Sequence, residues 1–250
     1  MVPMAELTIV EWCLLAIAAT GIGVSKSGLS GLSMVHVLVF AHIFQARDST
    51  GVVLPMLIFG DVCAIRTYGQ HANWNQVWRM MPPAIVGVIL GWLWMHRLDE
   101  SAYKPLIGGI ILGLTVLQLA RLWRPNWQAN VPHSVWFAWA MGLTVGMTTM
   151  LANAAGPVFG LYLLALAVPK MEFVGTSAWF FLMLNVFKVP FSWSLGLIDE
   201  ESLLLNAVLC PLIIVGIFIG KAIVKRLPQK AFDILILVFT AAAAFRLLIG

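Results

Sequence analysis

The length of the apolar runs limits this chain more than any other feature. Between short polar clusters lie about ten such stretches: residues 7–24, 31–45, 49–66, 77–96, 102–123, 134–151, 157–169, 175–196, 202–224 and 230–249. Most approach the roughly 20 residues that an α-helix needs to cross about 30 Å of hydrocarbon. Alternating ten-residue barrel strands are absent, and a helix satisfies its own backbone hydrogen bonds where no water can. The charged fraction is 10% and the hydrophobic fraction 61%, against about 25% charged residues in a soluble domain. The expected fold is therefore all-α, a polytopic transmembrane helical bundle embedded in a lipid bilayer.

The longest clearly polar connection, RPNWQANVPHS over 124–134, falls near the middle of the chain. It divides a first membrane repeat (1–123) from a second (135–250), within one transmembrane domain. Shifted by 129 positions, Pro82, Ile85, Val86, Gly87, Gly91, Arg97, Leu98 and Ala102 fall on Pro211, Ile214, Val215, Gly216, Gly220, Arg226, Leu227 and Ala231, eight identities in 21 positions. This is the mark of an internal repeat. Five segments per half is an odd number, so the second half is expected to enter the membrane inverted. If all ten segments cross, ten basic residues (Lys26, Arg66, Arg79, Arg121, Arg124, Lys170, Lys221, Lys225, Arg226, Lys230) share one face and four (Arg47, Arg97, Lys104, Arg246) the other. Eight crossings, with the first two segments of each half merged into a broken helix, give a weaker bias. The positive-inside rule thus favours the inverted arrangement with both termini outside. Glu6 and Glu11 stand where a signal peptide would carry positive charge, so no cleaved leader is expected.

Segments two and seven are short for spanning helices, occupy corresponding places in the two halves, and each follows a polar break. The first break is GIGVSKSGLSG (21–31) and the second TTMLANAAGPVFG (148–160). Paired interruptions of this kind point to the binding site of an inverted-repeat transporter, because irregular backbone at membrane depth survives only inside protein or beside a wet cavity. Thr148, Thr149, Asn153, Gly156 and Pro157 are accordingly assigned to a polar substrate site. A helix restarting near Pro157 offers free N–H groups and a positive dipole end to an anion. Lys26 adds a positive charge, with hydroxyls from Ser25, Ser27 and Ser30 around Gly28. A sulfonate, sulfite or carboxylate matches that chemistry; the alternative is a lysine that snorkels to the interface beside helix-capping serines.

Asn185 and Lys188 lie three apart on one helical face, and Asp61 interrupts LIFGDVCAIR. Such groups cost about 2.5–3.5 kcal/mol at a helix centre, so each is expected to face a partner or water. For Asp61 the candidates are an internal pair with Lys188, a transported proton, or an interfacial pair with Arg66. Pro190 suggests a kink just beyond Lys188. His36 and His42 are further proton-coupling candidates, against a packing role. Gly87/Gly91, Gly109/Gly113 and Gly216/Gly220 have the spacing of close helix contacts, and Trp74, Trp78, Trp123, Trp127 and Trp136 that of interfacial belts. Cys13, Cys63 and Cys210 are isolated, so no metal site or cofactor is expected. Scattered basic residues argue for membrane orientation and against nucleic acid. Neither nucleotide-binding nor hydrolytic motifs such as GxxxxGK[ST], HExxH or GxSxG occur, which speaks against an enzyme and against direct ATP drive.

GVSKSG, VLPMLIFGDVCAIRTYGQHANWNQVW, NAAGPVFGLYLLA, GTSAWFFLMLNVFKVPF and GIFIGKAIVKRLP, in that order over residues 15 to 249, resemble the sulfite exporter TauE/SafE family of membrane permeases. The resemblance implies a two-half carrier of sulfite, sulfoacetate or other small organosulfur anions, in the bacterial inner membrane. It points to Lys26, Gly28, Asp61, Gly156, Pro157, Thr176, Ser177, Asn185 and Lys188 as functional positions. The first signature departs from the family pattern, with Ser30, Ser33 and His36 where more glycine and a following proline are usual. The expected function is secondary transport by alternating access under an ion gradient, with an anion channel as the alternative. Expected partners are the anion, the bilayer and a coupling proton, with a second copy of the chain as a further candidate.

Overall fold

The computed structural model describes residues 6–29, 32–44, 46–95 and 135–238. These form α1 (Ile9–Lys26), α2 (Ser33–Phe44), α3 (Ala46–Tyr68), a 3-10 turn (Gly69–His71), α4 (Trp74–Met95), α5 (Val135–Ala152), α6 (Ala155–Ala165), α7 (Lys170–Ser194) and α8 (Glu200–Arg226). A last helical stretch covers 229–238. Among the described residues there are no strands, and six helices, α1, α3, α4, α5, α7 and α8, are long and apolar enough to cross a membrane. The chain is an all-α, multi-pass integral membrane bundle. The fifth expected segment, the 124–134 linker, Ser30, Arg97, Leu98, Ala102, Lys104, Gly109, Gly113, Arg121, Trp123, Arg124, Trp127 and Arg246 lie outside the described residues.

Local sequence accounts for several helix ends. Thr8 and Glu11 form a reciprocal capping box at the start of α1, and Asp199 with Ser202 forms another at the start of α8. At the far end of α8 the Lys170 ammonium donates to the carbonyls of Val224 (3.2 Å) and Leu227 (2.5 Å), which have no partner in their own helix. The expected kink at Pro190 does not end α7, which continues to Ser194.

Each sequence half places its helices against the other. α1 packs on α8, α4 on α5, and α3 on α7, and the pattern of these three pairings is unchanged when α1 is exchanged for α5, α3 for α7 and α4 for α8. The first two crossings are made by glycine. A Cβ on Gly216 would run into the Thr20 carbonyl oxygen, and one on Gly146 into that of Ala84, with Gly23 and Gly87 as the facing residues. Without a hydrophobic force between helices in lipid, this backbone approach and its dispersion contacts supply the association. Thr20 faces Gly216 and Ser27 faces Gly220, so α1 and α8 run parallel; Ala84 faces Gly146 and Gly91 faces Met150, so α4 and α5 do too. In contrast, Gly51 lies on Leu197, Asp61 on Asn185 and Tyr68 on Gly175, so α3 and α7 run antiparallel at the centre.

Contacts between Asn73 and Glu172 (2.6 Å) and between Lys170 and Leu227 gather the C-terminal ends of α3 and α8 with the N-terminal ends of α4 and α7. Those helix ends carry Arg66, Arg79, Lys170, Lys221, Lys225 and Arg226. Lys26 was counted with this face, yet it stands inside the bundle against Asp61.

Candidate functional site

The two polar breaks fold as turns. In each, the chain leaves its helix through a residue in the left-handed region: Gly28 at φ +115° and Asn153 at φ +51°. Glycine takes that conformation freely and asparagine more readily than most. A Cβ on Gly28 would also press to 2.5 Å from the Val174 side chain, so the first turn needs glycine twice over. After each turn a short helix begins, α2 of 12 residues and α6 of 11.

Both short helices point their N-termini into one cavity. Ser33 of α2 and Ala155 and Gly156 of α6 line it, opposite Asp61 on α3 and the stripe Ser177, Phe181 and Asn185 on α7. The cavity measures about 50 Å³; at roughly 10–15 Å³ for one water, the space suits a small ion with a few waters. α6 starts at Ala155, two residues earlier than expected, with no side-chain cap from Ala154. Pro157 is its third residue and lies behind the cavity wall.

Two lysines stand at this junction. The Lys26 ammonium lies 2.6 Å from Asp61 Oδ1 and 5.1 Å from the centre of the Phe181 ring, a cation–π distance. Asn185 Nδ2 donates to the other carboxylate oxygen, Oδ2, at 2.8 Å. Asp61 therefore pairs with Lys26, and neither of the partners read from the sequence, Lys188 or Arg66, takes that place. Lys188, 1% exposed, instead donates to Thr149 O (2.7 Å), Thr149 Oγ1 (3.2 Å) and Asn153 Oδ1 (2.7 Å). Asn153 Nδ2 continues to Thr50 O at 2.9 Å, so one lysine and one asparagine tie the second turn to α7 and α3.

Several buried polar atoms of residues on the cavity wall have no partner among the described residues: both ring nitrogens of His36, Ser33 Oγ and Asn185 Oδ1. A buried polar atom left without a partner costs about 1–3 kcal/mol, so this wall is built to meet water or a polar ligand.

Of the residues singled out from the sequence, Ser25, Lys26, Gly28, His36, Asp61, Thr149, Asn153, Gly156, Ser177 and Asn185 line the cavity. The others are placed elsewhere. Ser27 Oγ donates to Gly23 O (3.2 Å) and Ile217 O (3.1 Å), pinning α1 to α8. The Thr148 hydroxyl turns back to Thr144 O at 2.7 Å, and Thr176 Oγ1 accepts from Asn73 N at 2.9 Å. His42 is exposed on the last turn of α2. Ser33 and Phe181 were absent from the sequence-based site; Phe181 was legible as the member of an i, i+4, i+8 row with Ser177 and Asn185.

No curated protein and no solved structure matches the chain. The family profile described as sulfite exporter TauE/SafE matches residues 13–247, nearly the whole length. With that match over six apolar helices and a polar cavity enclosed between two broken ones, the chain belongs to the TauE/SafE sulfite exporter family of membrane permeases.

Proposed function

We propose that this protein is a secondary carrier that moves a small sulfur-containing oxyanion, such as sulfite, sulfoacetate or another organosulfonate, by alternating access. The observation that carries the reading is the convergence of two short-helix N-termini and the Lys26 ammonium on one small cavity. Each helix N-terminus contributes roughly half a positive charge and unpaired backbone N–H groups. With Lys188 behind the second turn, two lysines stand against one aspartate, which leaves the site with an excess of positive charge. The cavity has room for a compact head group.

The equivalent but antiparallel α3 and α7 support two halves inserted in opposite senses, with the cavity between them, as in carriers that rock one element set against another. The basic helix ends support a cytoplasmic assignment for that face by the positive-inside rule, and the carrier would sit in a bacterial inner membrane. The drive is an ion gradient or the anion's own potential.

The test is flux into liposomes holding the purified protein, with labelled sulfite and sulfoacetate, with and without an imposed proton gradient, beside empty liposomes. Saturable flux that is lost in Lys26→Ala, in protein that still elutes as a folded monodisperse species, is expected. Flux rising linearly with gradient at very high unitary rate would make the protein a channel. Movement of neither anion under any gradient would remove the substrate class.

A further inference from the structure

Resting on the anion-carrier reading, we propose that Asp61 is the binding site of a proton carried together with the anion, and that the Asn185 amide makes the anion site depend on that proton. In the structure the carboxylate engages two donors of the cavity wall, one charged and one neutral. Its Oδ1 holds the Lys26 ammonium at 2.6 Å and its Oδ2 holds Asn185 Nδ2 at 2.8 Å. What Asn185 then leaves unmatched is its acceptor, Oδ1, buried and without a partner among the described residues. An ionised Asp61 thus leaves the cavity wall with an engaged lysine and an unpartnered acceptor, both unfavourable to an oxyanion.

One proton reverses both features. A proton from the entry side forms an O–H bond at Asp61 Oδ2, and the carboxyl loses its charge. Its new O–H donates to Asn185 Oδ1 once the amide turns by 180°, which directs Nδ2 into the cavity as a donor. The Lys26 ammonium, no longer held by a full negative charge, pairs with the arriving anion. Anion and proton enter together, so for a monoanion the site's net charge is the same empty and loaded. The groups facing Asp61 are few among the described residues: Lys26 from α1, His36 across the cavity from α2, and Asn185 and Lys188 from α7. Of these, Lys188 is held by Thr149 and Asn153, and Asn185 is the one neutral amide touching both the carboxylate and the cavity.

The experiment measures equilibrium binding of sulfoacetate, whose charge is constant through the neutral range, to the full-length protein in detergent as pH is varied. Affinity is expected to rise about tenfold for each unit of pH lowered while Asp61 is ionised in the empty carrier, as linkage of one proton requires. Asp61→Asn is expected to remove that slope. Asn185→Leu is expected to keep the slope but bind about tenfold more weakly at low pH, the loss of one donor to a charged group. Wild-type protein alone gives a further measurement: in weakly buffered solution with a pH indicator, anion binding is expected to take up one proton per site. Anion binding without proton uptake, or an unchanged slope in Asp61→Asn, would overturn the proton site. Equal low-pH affinity in Asn185→Leu would overturn the role of the amide. Absence of anion binding at every pH would instead refute the carrier reading beneath both.

Discussion

Replacing Lys188 by methionine separates a lysine that builds the site from one that binds the substrate. Its ammonium is committed to Thr149 O, Thr149 Oγ1 and Asn153 Oδ1, all within 3.2 Å, and it is not on the cavity wall. Methionine keeps most of the side chain's volume and avoids the cost of burying a charge, but leaves Asn153 Oδ1 without its donor, while the Thr149 carbonyl keeps the Asn153 N–H at 3.1 Å. At about 1–3 kcal/mol for a buried acceptor left unpaired, less what water admitted from the cavity restores, the expected loss is about 1–3 kcal/mol of stability. The assay is unfolding in mixed micelles with increasing SDS, followed by tryptophan emission. Asn153→Gly is the companion, because glycine keeps the left-handed turn while removing the acceptor. If Lys188 and Asn153 act as one clasp, the double variant will be less destabilised than the sum of the singles by at least about 1 kcal/mol. Full stability of Lys188→Met with a collapse of anion affinity would refute the reasoning and return Lys188 to the ligand set.

Gly216→Leu forces a side chain against the Thr20 carbonyl at the α1–α8 crossing and is expected to cost about 1–3 kcal/mol in the same SDS titration. Val208→Leu on the exposed side of that helix is expected to stay within about 0.5 kcal/mol. Asp199→Ala removes the acceptor for Ser202 N (2.7 Å) at the start of α8 and is expected to cost about 1 kcal/mol, read as a lowered midpoint with unchanged anion affinity.

Much of the fold was legible because membrane helices are selected by length and apolarity along the chain. The segments read at 134–151 and 202–224 differ from α5 and α8 by only a few residues at either end. The two breaks were visible for the same reason, as polar residues at a depth where hydrocarbon forbids loose backbone. What could not be read was direction around each helix axis. Thr148 and Thr149 are neighbours in sequence, but a 100° step turns one to its own helix and the other to the cavity. Partner choice across the bundle was equally hidden: Asp61 meets Lys26 rather than Lys188 or Arg66, because the α1 turn brings Lys26 beside the middle of α3. No periodicity along α3 encodes that meeting.

The exchange of partners at the two glycine crossings bears on how such a protein assembles. Because α1 leans on α8 and α4 on α5, a chain cut in the middle would leave each fragment with its glycine faces bare and its half of the cavity open to lipid. Co-expressed fragments split between α4 and α5 are therefore expected to need each other before either crossing can close. The polar contacts add to that mutual dependence only in part: Asn185 reaches Asp61 and Asn153 reaches Thr50 across the cut, while Lys26 with Asp61 and Lys188 with Asn153 each stay within one fragment.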